Sequence, residues 1–300
     1  VTAAVAGIPG TGVVPPVVAQ LCDDAAVFPP GLAPLPDAVR AHRERHEHWW
    51  ADLAGPLVLA DAALPDLASL PAPGGVPLRL AVTVPRGPAG IPDVLSACAR
   101  LPVRPTAVEV AVPAGTGAAQ FLDALAAALA GLGPPHVPEI YVEVPRDSRR
   151  DALLDGLTGR YRAKFRTGGV RADLYPDDAE LAAAIADAVG AGVAFKATAG
   201  LHHAVRNTDP HTGFEQHGFL NLLLATEALV AGGTEQDARV LLAERDPADV
   251  AARVAALDDD RVRAVRATFT SFGTCSMVEP LTELIELGVV VTDTAGGDPS

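Results

Sequence analysis

Two segments decide the fold: Tyr161-Arg162-Ala163-Lys164-Phe165-Arg166-Thr167-Gly168-Gly169 and Gly192-Val193-Ala194-Phe195-Lys196-Ala197-Thr198-Ala199-Gly200. Each is a short apolar run that breaks into a glycine turn, the pattern of a buried strand. Between them, residues 178–189 are rich in Ala with helical periodicity. Asp177, Asp178 and Glu180 stand behind Pro176, where acids complement the N-terminal dipole of a helix. A strand, a helix and a second strand over about 30 residues make the βα repeat of a parallel sheet.

The same pattern extends outward in both directions. Upstream runs at 56–60, 78–84, 107–112 and 140–144, the pair 161–165 and 193–198, and downstream runs at 265–269 and 288–291 give eight candidate strands. Repeated parallel units of this number predict a closed (β/α)8 TIM-like barrel, with an open doubly wound sheet as the alternative. A further helical pattern covers 118–132. The long gap from Thr198 to Val265 holds helical patterns near 214–230, 235–244 and 247–257, read as the normal helix plus a helical insertion, about 214–258, after the sixth strand. Residues 1–54 read as an N-terminal extension packing on a barrel of 55–300. Within that extension His42, His46 and His48 lie on a charged helical stretch that reads as a solvated face rather than a metal site.

The chain has only two lysines, Lys164 and Lys196, and the other 21 of its 23 Lys and Arg residues are arginine. Both lysines sit inside apolar strands near a glycine turn. Lysine can lose its proton when buried and attack a carbonyl, whereas arginine stays protonated. The other reading is that the lysines hold a phosphate or pair with carboxylates. Glu109, in Val108-Glu109-Val110, and Glu143, in Val142-Glu143-Val144, are likewise charged residues within apolar strands. A charge facing the helices is costly, so the strand pattern directs all four toward the barrel mouth, where barrels do their chemistry. Two ammonium groups held close are expected to depress one pKa and leave a free amine near neutral pH. A carboxylate–lysine pair that only ties strands together is the structural alternative.

The loop after Lys196 is the densest polar cluster in the chain. His202 and His203 are candidates for general acid/base work, Arg206 for clamping a carboxylate or phosphate, and Asn207 for substrate contact. The competing reading is a divalent metal held by His202, His203, His211 or His217 with Glu143, Glu109 or Asp24, although no fixed metal-binding spacing is present. Two turns suit an anion: Arg166-Thr167-Gly168-Gly169, and Ser271-Phe272-Gly273-Thr274-Cys275-Ser276 ahead of a helix at 279–287. From these turns Arg166, Gly168, Gly169, Gly273, Thr274 and Ser276 are substrate-binding candidates. The acidic pair Asp23-Asp24 stands in an apolar setting, where it either reaches the barrel mouth or caps a helix, and Asp24 is a further candidate from it.

The stretch Ala191-Gly192-Val193-Ala194-Phe195-Lys196-Ala197-Thr198-Ala199-Gly200 resembles the Schiff-base strand of deoxyribose-phosphate aldolases and related class I aldolase barrels. In that family an Ala-Gly pair leads into a strand ending in lysine, small and hydroxyl residues, then Gly. The resemblance covers about ten residues and implies that Lys196 forms the imine and Lys164 is its pKa partner. The family's second lysine follows the Schiff-base strand, whereas Lys164 precedes Lys196, so the two roles are exchangeable. This chain also continues into His202-His203, unlike the family.

Composition excludes other classes. A net charge of −14 and a pI near 4.9 argue against a nucleic-acid surface. No apolar run approaches the roughly 20 residues of a membrane helix, and the N-terminal stretch lacks the charged start of a leader, so a soluble, cytoplasmic protein is expected. Three widely spaced cysteines give neither a disulfide framework nor a zinc knuckle. The sequence therefore predicts a Schiff-base lyase of the aldolase type, without a cofactor, acting on a small oxygenated and anionic substrate, with a homo-oligomer compatible. The alternatives are a metal-assisted or non-covalent isomerase or lyase of the same barrel class, and a non-catalytic small-molecule sensor.

Overall fold

The computed structural model describes residues 8, 10–71, 76–132 and 138–293. Eight parallel strands close into a barrel: β1 (Cys22–Asp24), β2 (Ala54–Ala60), β3 (Leu78–Val84), β4 (Val103–Ala111), β5 (Glu139–Glu143), β6 (Arg162–Arg166), β7 (Phe195–Thr198) and β8 (Phe269–Thr274). Neighbours in sequence are neighbours in space, and β8 pairs with both β7 and β1 to close the ring. Helices α1 (Leu35–Glu44), α2 (Leu64–Ala68), α3 (Ile91–Cys98), α4 (Ala118–Ala128), α5 (Arg150–Leu157) and α6 (Asp178–Gly190) each follow one strand. Between β7 and β8 stand α7 (Phe219–Val230), α8 (Glu235–Ala243), α9 (Pro247–Ala255) and α10 (Asp259–Thr268), and α11 (Val278–Glu286) follows β8.

Strand alternation splits the barrel residues into two sets. Leu57, Leu59, Leu80, Val82, Val108, Val110, Val142, Phe165, Phe195 and Phe272 belong to the main core. A separate small cluster, Val58, Ala81, Ala107 and Tyr141, is formed by residues of the other set, which fill the lumen. Helix starts follow their sequence signals. Asp177 accepts from the Glu180 N–H at 2.8 Å ahead of α6, and Asp258 accepts from the Arg261 N–H at 2.9 Å ahead of α10.

The barrel has the predicted number of strands, but two members differ. The run at 265–269 is the end of α10, since the Asp258 cap and the buried Val265 make it helical, and the strand starts at Phe269. The run at 288–291 adds no barrel strand: Val291–Thr292 pairs antiparallel with Gly12–Val13. The eighth member is Cys22–Asp24, wholly buried and inside the segment 1–54. The barrel thus begins at residue 22 rather than 55, and the helical insertion follows its seventh strand rather than its sixth. The histidine-bearing helix is not a solvated face throughout, because His42 is buried with Ala38 and Val39. Among the described residues no helix is long and apolar enough to cross a membrane.

Candidate functional site

Lys164 and Lys196 occupy paired positions on the adjacent strands β6 and β7. Glu143 pairs with Lys164 across β5 and β6, and Glu109 on β4 pairs with Tyr141. Paired residues of a parallel sheet share a face, so this register turns all of them into the lumen.

The side chains form one continuous chain of charges. Lys196 Nζ donates to Asp23 Oδ2 and, at 2.5 Å, to Glu109 Oε1. Lys164 Nζ lies 2.8 Å from Glu109 Oε2 and 3.0 Å from Glu143 Oε2. Ser271 Oγ donates to Asp23 Oδ2 at 2.8 Å, and Arg166 Nε donates to Glu143 Oε1 at 3.2 Å. The order is Ser271, Asp23, Lys196, Glu109, Lys164, Glu143, Arg166. Burial falls along it: the Lys196 side chain is 2% exposed, Glu143 24% and Arg166 40%.

Electrostatics follow from that alternation. Burial alone would lower the Lys196 pKa, but Asp23 and Glu109 reverse this and hold it above the ordinary lysine value. Lys164 is raised in the same way by Glu109 and Glu143 against its burial. Burial opposes ionisation of Glu109, yet the two ammoniums pull its pKa to about 2. Glu143 is also lowered despite burial, by Lys164 and Arg166. Asp23 goes the other way, because burial outweighs Lys196 and raises it. The expected depression of one lysine by the other is therefore absent from the resting site: each ammonium faces two carboxylates, and their mutual repulsion is the smaller effect.

The lumen is closed beneath the lysines. The Tyr141 ring lies 5.3 Å from Lys196 Nζ, and its hydroxyl meets Thr270 Oγ1 at 3.1 Å across the barrel. Thr270 Oγ1 in turn donates to the Phe195 carbonyl at 3.0 Å. The half-buried Arg266 donates to the carbonyls of Ala19, Phe269 and Thr270, at the strand starts.

The structure therefore brings together Lys164, Lys196, Glu109, Glu143 and Arg166, and sends other candidates elsewhere. Asp24 faces outward, where it takes His42 Nδ1 at 3.0 Å and the Arg45 guanidinium and pins α1 to β1; the lumen carboxylate of the acidic pair is Asp23. His203 Nδ1 meets Glu283 Oε1 at 2.5 Å and so ties its loop to α11. Arg206 pairs with Asp178 and, at 3.3 Å, with Glu215, while Asn207 donates to the Val205 carbonyl at 3.1 Å. Gly168 serves close packing: a Cβ there would stand 2.7 Å from Gly200 Cα and 2.6 Å from Tyr175, and one on Gly169 would stand 2.5 Å from Leu174. Residues 271–274 lie within β8 and form no anion turn. Gly273 is open to an ordinary Cβ near Thr198, Thr274 Oγ1 donates to the Ser276 carbonyl at 2.9 Å, and Ser276 Oγ accepts from the Glu279 N–H at 3.3 Å. His202 Nδ1 lies 3.6 Å from Cys275 Sγ, between the loops that follow β7 and β8. Burial lowers the His202 pKa and raises the Cys275 thiol to about 11.

From the sequence the acidic pair is able to reach the barrel mouth, but Asp24 rather than Asp23 is the candidate taken from it, and Tyr141, Thr270 and Ser271 are not singled out as lumen groups. Gly55 on β2 was a usable signal, because a Cβ there would collide with Asp23 Oδ1. Among the described residues no group of three or more His, Cys, Asp or Glu is placed to hold a metal ion.

No protein-family model matches the chain, and no curated protein matches it. Its fold is similar to that of a tetrameric deoxyribose phosphate aldolase from Aeropyrum pernix. The two share 16% identity over 91% of this chain and 93% of that one, with a TM-score of 0.50. The likeness is one of fold, a closed (β/α)8 barrel.

Proposed function

We propose that the chain is a lysine-dependent lyase of the aldolase type, acting through an imine on a small oxygenated, anionic substrate. One observation carries this reading: the buried chain Asp23–Lys196–Glu109–Lys164–Glu143 inside the barrel. Buried ion pairs contribute little net stability compared with apolar packing, so four buried charged groups and the half-buried Glu143, on five strands, are better explained by chemistry than by cohesion. The fold likeness to an aldolase supports the same class.

Lys164 is assigned the imine and Lys196 the permanent charge. Lys164 bonds to the half-buried Glu143 toward Arg166, whereas Lys196 is enclosed by Asp23, Glu109 and Tyr141. This also restores the order of the resembled family, whose second lysine follows the Schiff-base strand. Lys164 Nζ passes a proton to Glu143, and the free amine attacks the substrate carbonyl carbon. The C–N bond forms, and the carbonyl oxygen leaves as water with protons returned to it. The resulting iminium accepts the electron pair of the C–C bond that breaks, while a carboxylate takes the proton of the adjoining hydroxyl. Glu109, held as an anion by both lysines, orients the Lys164 ammonium between turnovers.

His202 is the histidine left to exchange protons near the barrel mouth, and a homo-oligomer is part of the proposal. The three free thiols fit a reducing, cytoplasmic setting. A second reading is favoured by the raised proton affinity of both lysines: a non-covalent lyase or isomerase whose ammoniums stabilise an enolate-like anion. Borohydride reduction in the presence of aldehydes, ketones and sugar phosphates, followed by peptide mapping, separates the two. The imine reading expects a reduced adduct on Lys164. A ligand that binds and yields no adduct on either lysine moves the assignment to the non-covalent reading.

A further inference from the structure

The resting site poses a chemical problem: its lysines are held as ammonium ions, and an ammonium is not a nucleophile. Something must release a proton when substrate arrives. The outer end of the charge chain is where substrate can reach it. Arg166, 40% exposed, holds Glu143 Oε1 at 3.2 Å, while Glu143 Oε2 holds Lys164 Nζ at 3.0 Å. Glu143 thus lies between two cations, one fixed in the lumen and one on the mouth side.

We infer that Arg166 is a substrate-operated switch: an anionic group on the substrate draws the guanidinium away from Glu143, and the released carboxylate takes the proton of Lys164. The inference rests on the lysine reading above and adds how its nucleophile is generated. Arg166 bonds directly to Glu143 and reaches Lys164 only through it, so turning outward strips a cation from the proton acceptor more than from the donor. The pair then exchanges ammonium and carboxylate for amine and carboxylic acid, with one proton crossing 3.0 Å and nothing gained or lost. Burial favours this neutral pair once Arg166 has gone, since both partners are largely out of water. Glu143 later returns the proton to the hydroxyl that leaves as water.

The switch makes an unusual prediction, because loss of a binding residue should increase reactivity. The probe is propanal, a neutral aldehyde, trapped by cyanoborohydride and read by peptide mapping at pH 7 and constant ionic strength. In the wild-type chain, inorganic phosphate should speed labelling of Lys164 relative to chloride. Arg166→Gln should label about tenfold faster without phosphate, the change expected for one unit of proton affinity at Glu143, and should no longer respond to phosphate. Arg166→Lys, which keeps the charge, should stay slow, and it controls for a general loosening of the site. If Lys164 is labelled but neither phosphate nor Arg166→Gln changes its rate, the switch is wrong and the imine reading stands. Labelling at Lys196 instead, or at neither lysine even at pH 10, overturns the switch together with the assignment of Lys164.

Discussion

The two sides of the barrel lumen are built from different chemistry on the same scaffold. Above the strand starts, where Arg79 bonds to Gln20, β2 and β3 present only the uncharged Val58, Ala81 and Thr83, whereas the wall running from β4 through β8 to β1 presents Glu109, Glu143, Lys164, Lys196, Ser271 and Asp23 above Ala107 and Tyr141. Both follow the same strand alternation and close the same ring, so barrel geometry does not require the charges. An apolar lumen packs at least as well, and burying ions costs free energy that their pairing recovers only with good geometry. The apolar wall shows what this barrel does where only packing is needed. The charged wall is where the proposed lysine chemistry is placed.

The largest expected break in the comparison is at Lys164. Lys164→Met leaves Glu109 and Glu143 short of a shared cation and should cost about 3–5 kcal/mol in urea unfolding, the usual penalty for removing one partner of a buried pair. It should also abolish reductive trapping. Lys164→Arg should abolish trapping as well while keeping much of the stability, which separates the chemistry from the fold.

Acid is the next probe of the charged wall. Glu109 titrates at about 2 in the folded protein against an ordinary 4.5, so its contribution is fully present above about pH 4.5 and is lost as pH falls toward 2. That depression corresponds to about 3 kcal/mol as an order of magnitude. The stability gap between the wild-type chain and Glu109→Gln, measured by urea unfolding, should therefore shrink from pH 7 to pH 3. Asp23, raised by burial, opposes this trend over its own range, since protonation relieves the cost of holding it ionised.

At the seam between the walls, Gly55→Ala on β2 would push a Cβ into Asp23 Oδ1. Up to about 3 kcal/mol is expected from such overpacking, together with a changed rate of Lys164 trapping once Asp23 no longer holds Lys196. The smallest effect belongs to the apolar wall. Val58→Thr places a hydroxyl among Ala81, Ala107 and Tyr141 and should cost about 1–2 kcal/mol, with trapping unchanged. Equal losses of trapping from Val58→Thr and Gly55→Ala would erase the distinction between the walls.

Much of the charged wall was legible because a lysine or glutamate inside a run such as Val108-Glu109-Val110 has few inexpensive places to point. The barrel count was legible for a similar reason, since six of the strands are apolar runs bounded by turns. β1 was not: three residues reading Cys22-Asp23-Asp24 show no alternation, and which acid enters the lumen is set by pairing with β8 and β2. The 265–269 run misled because Val262 and Val265 suit a helix face as well as a strand, and only the Asp258 cap decides. The histidine loop misled by its density. Its polar groups are largely spent on local partners: His203 on Glu283, His217 on the Pro176 carbonyl and Arg206 on Asp178. Composition shows that such groups are present, and only their contacts show that they are occupied.

The proposed chemistry requires Lys164 to become a free amine and bond covalently to substrate. Its most direct test is intact-mass and peptide analysis of the wild-type chain and Lys164→Arg after borohydride reduction with a sugar phosphate or aldehyde that binds. One added substrate per wild-type chain is expected, located on Lys164, with no addition to the variant. An unmodified wild-type chain at saturating ligand, or an adduct that persists in Lys164→Arg on Lys196, would contradict it.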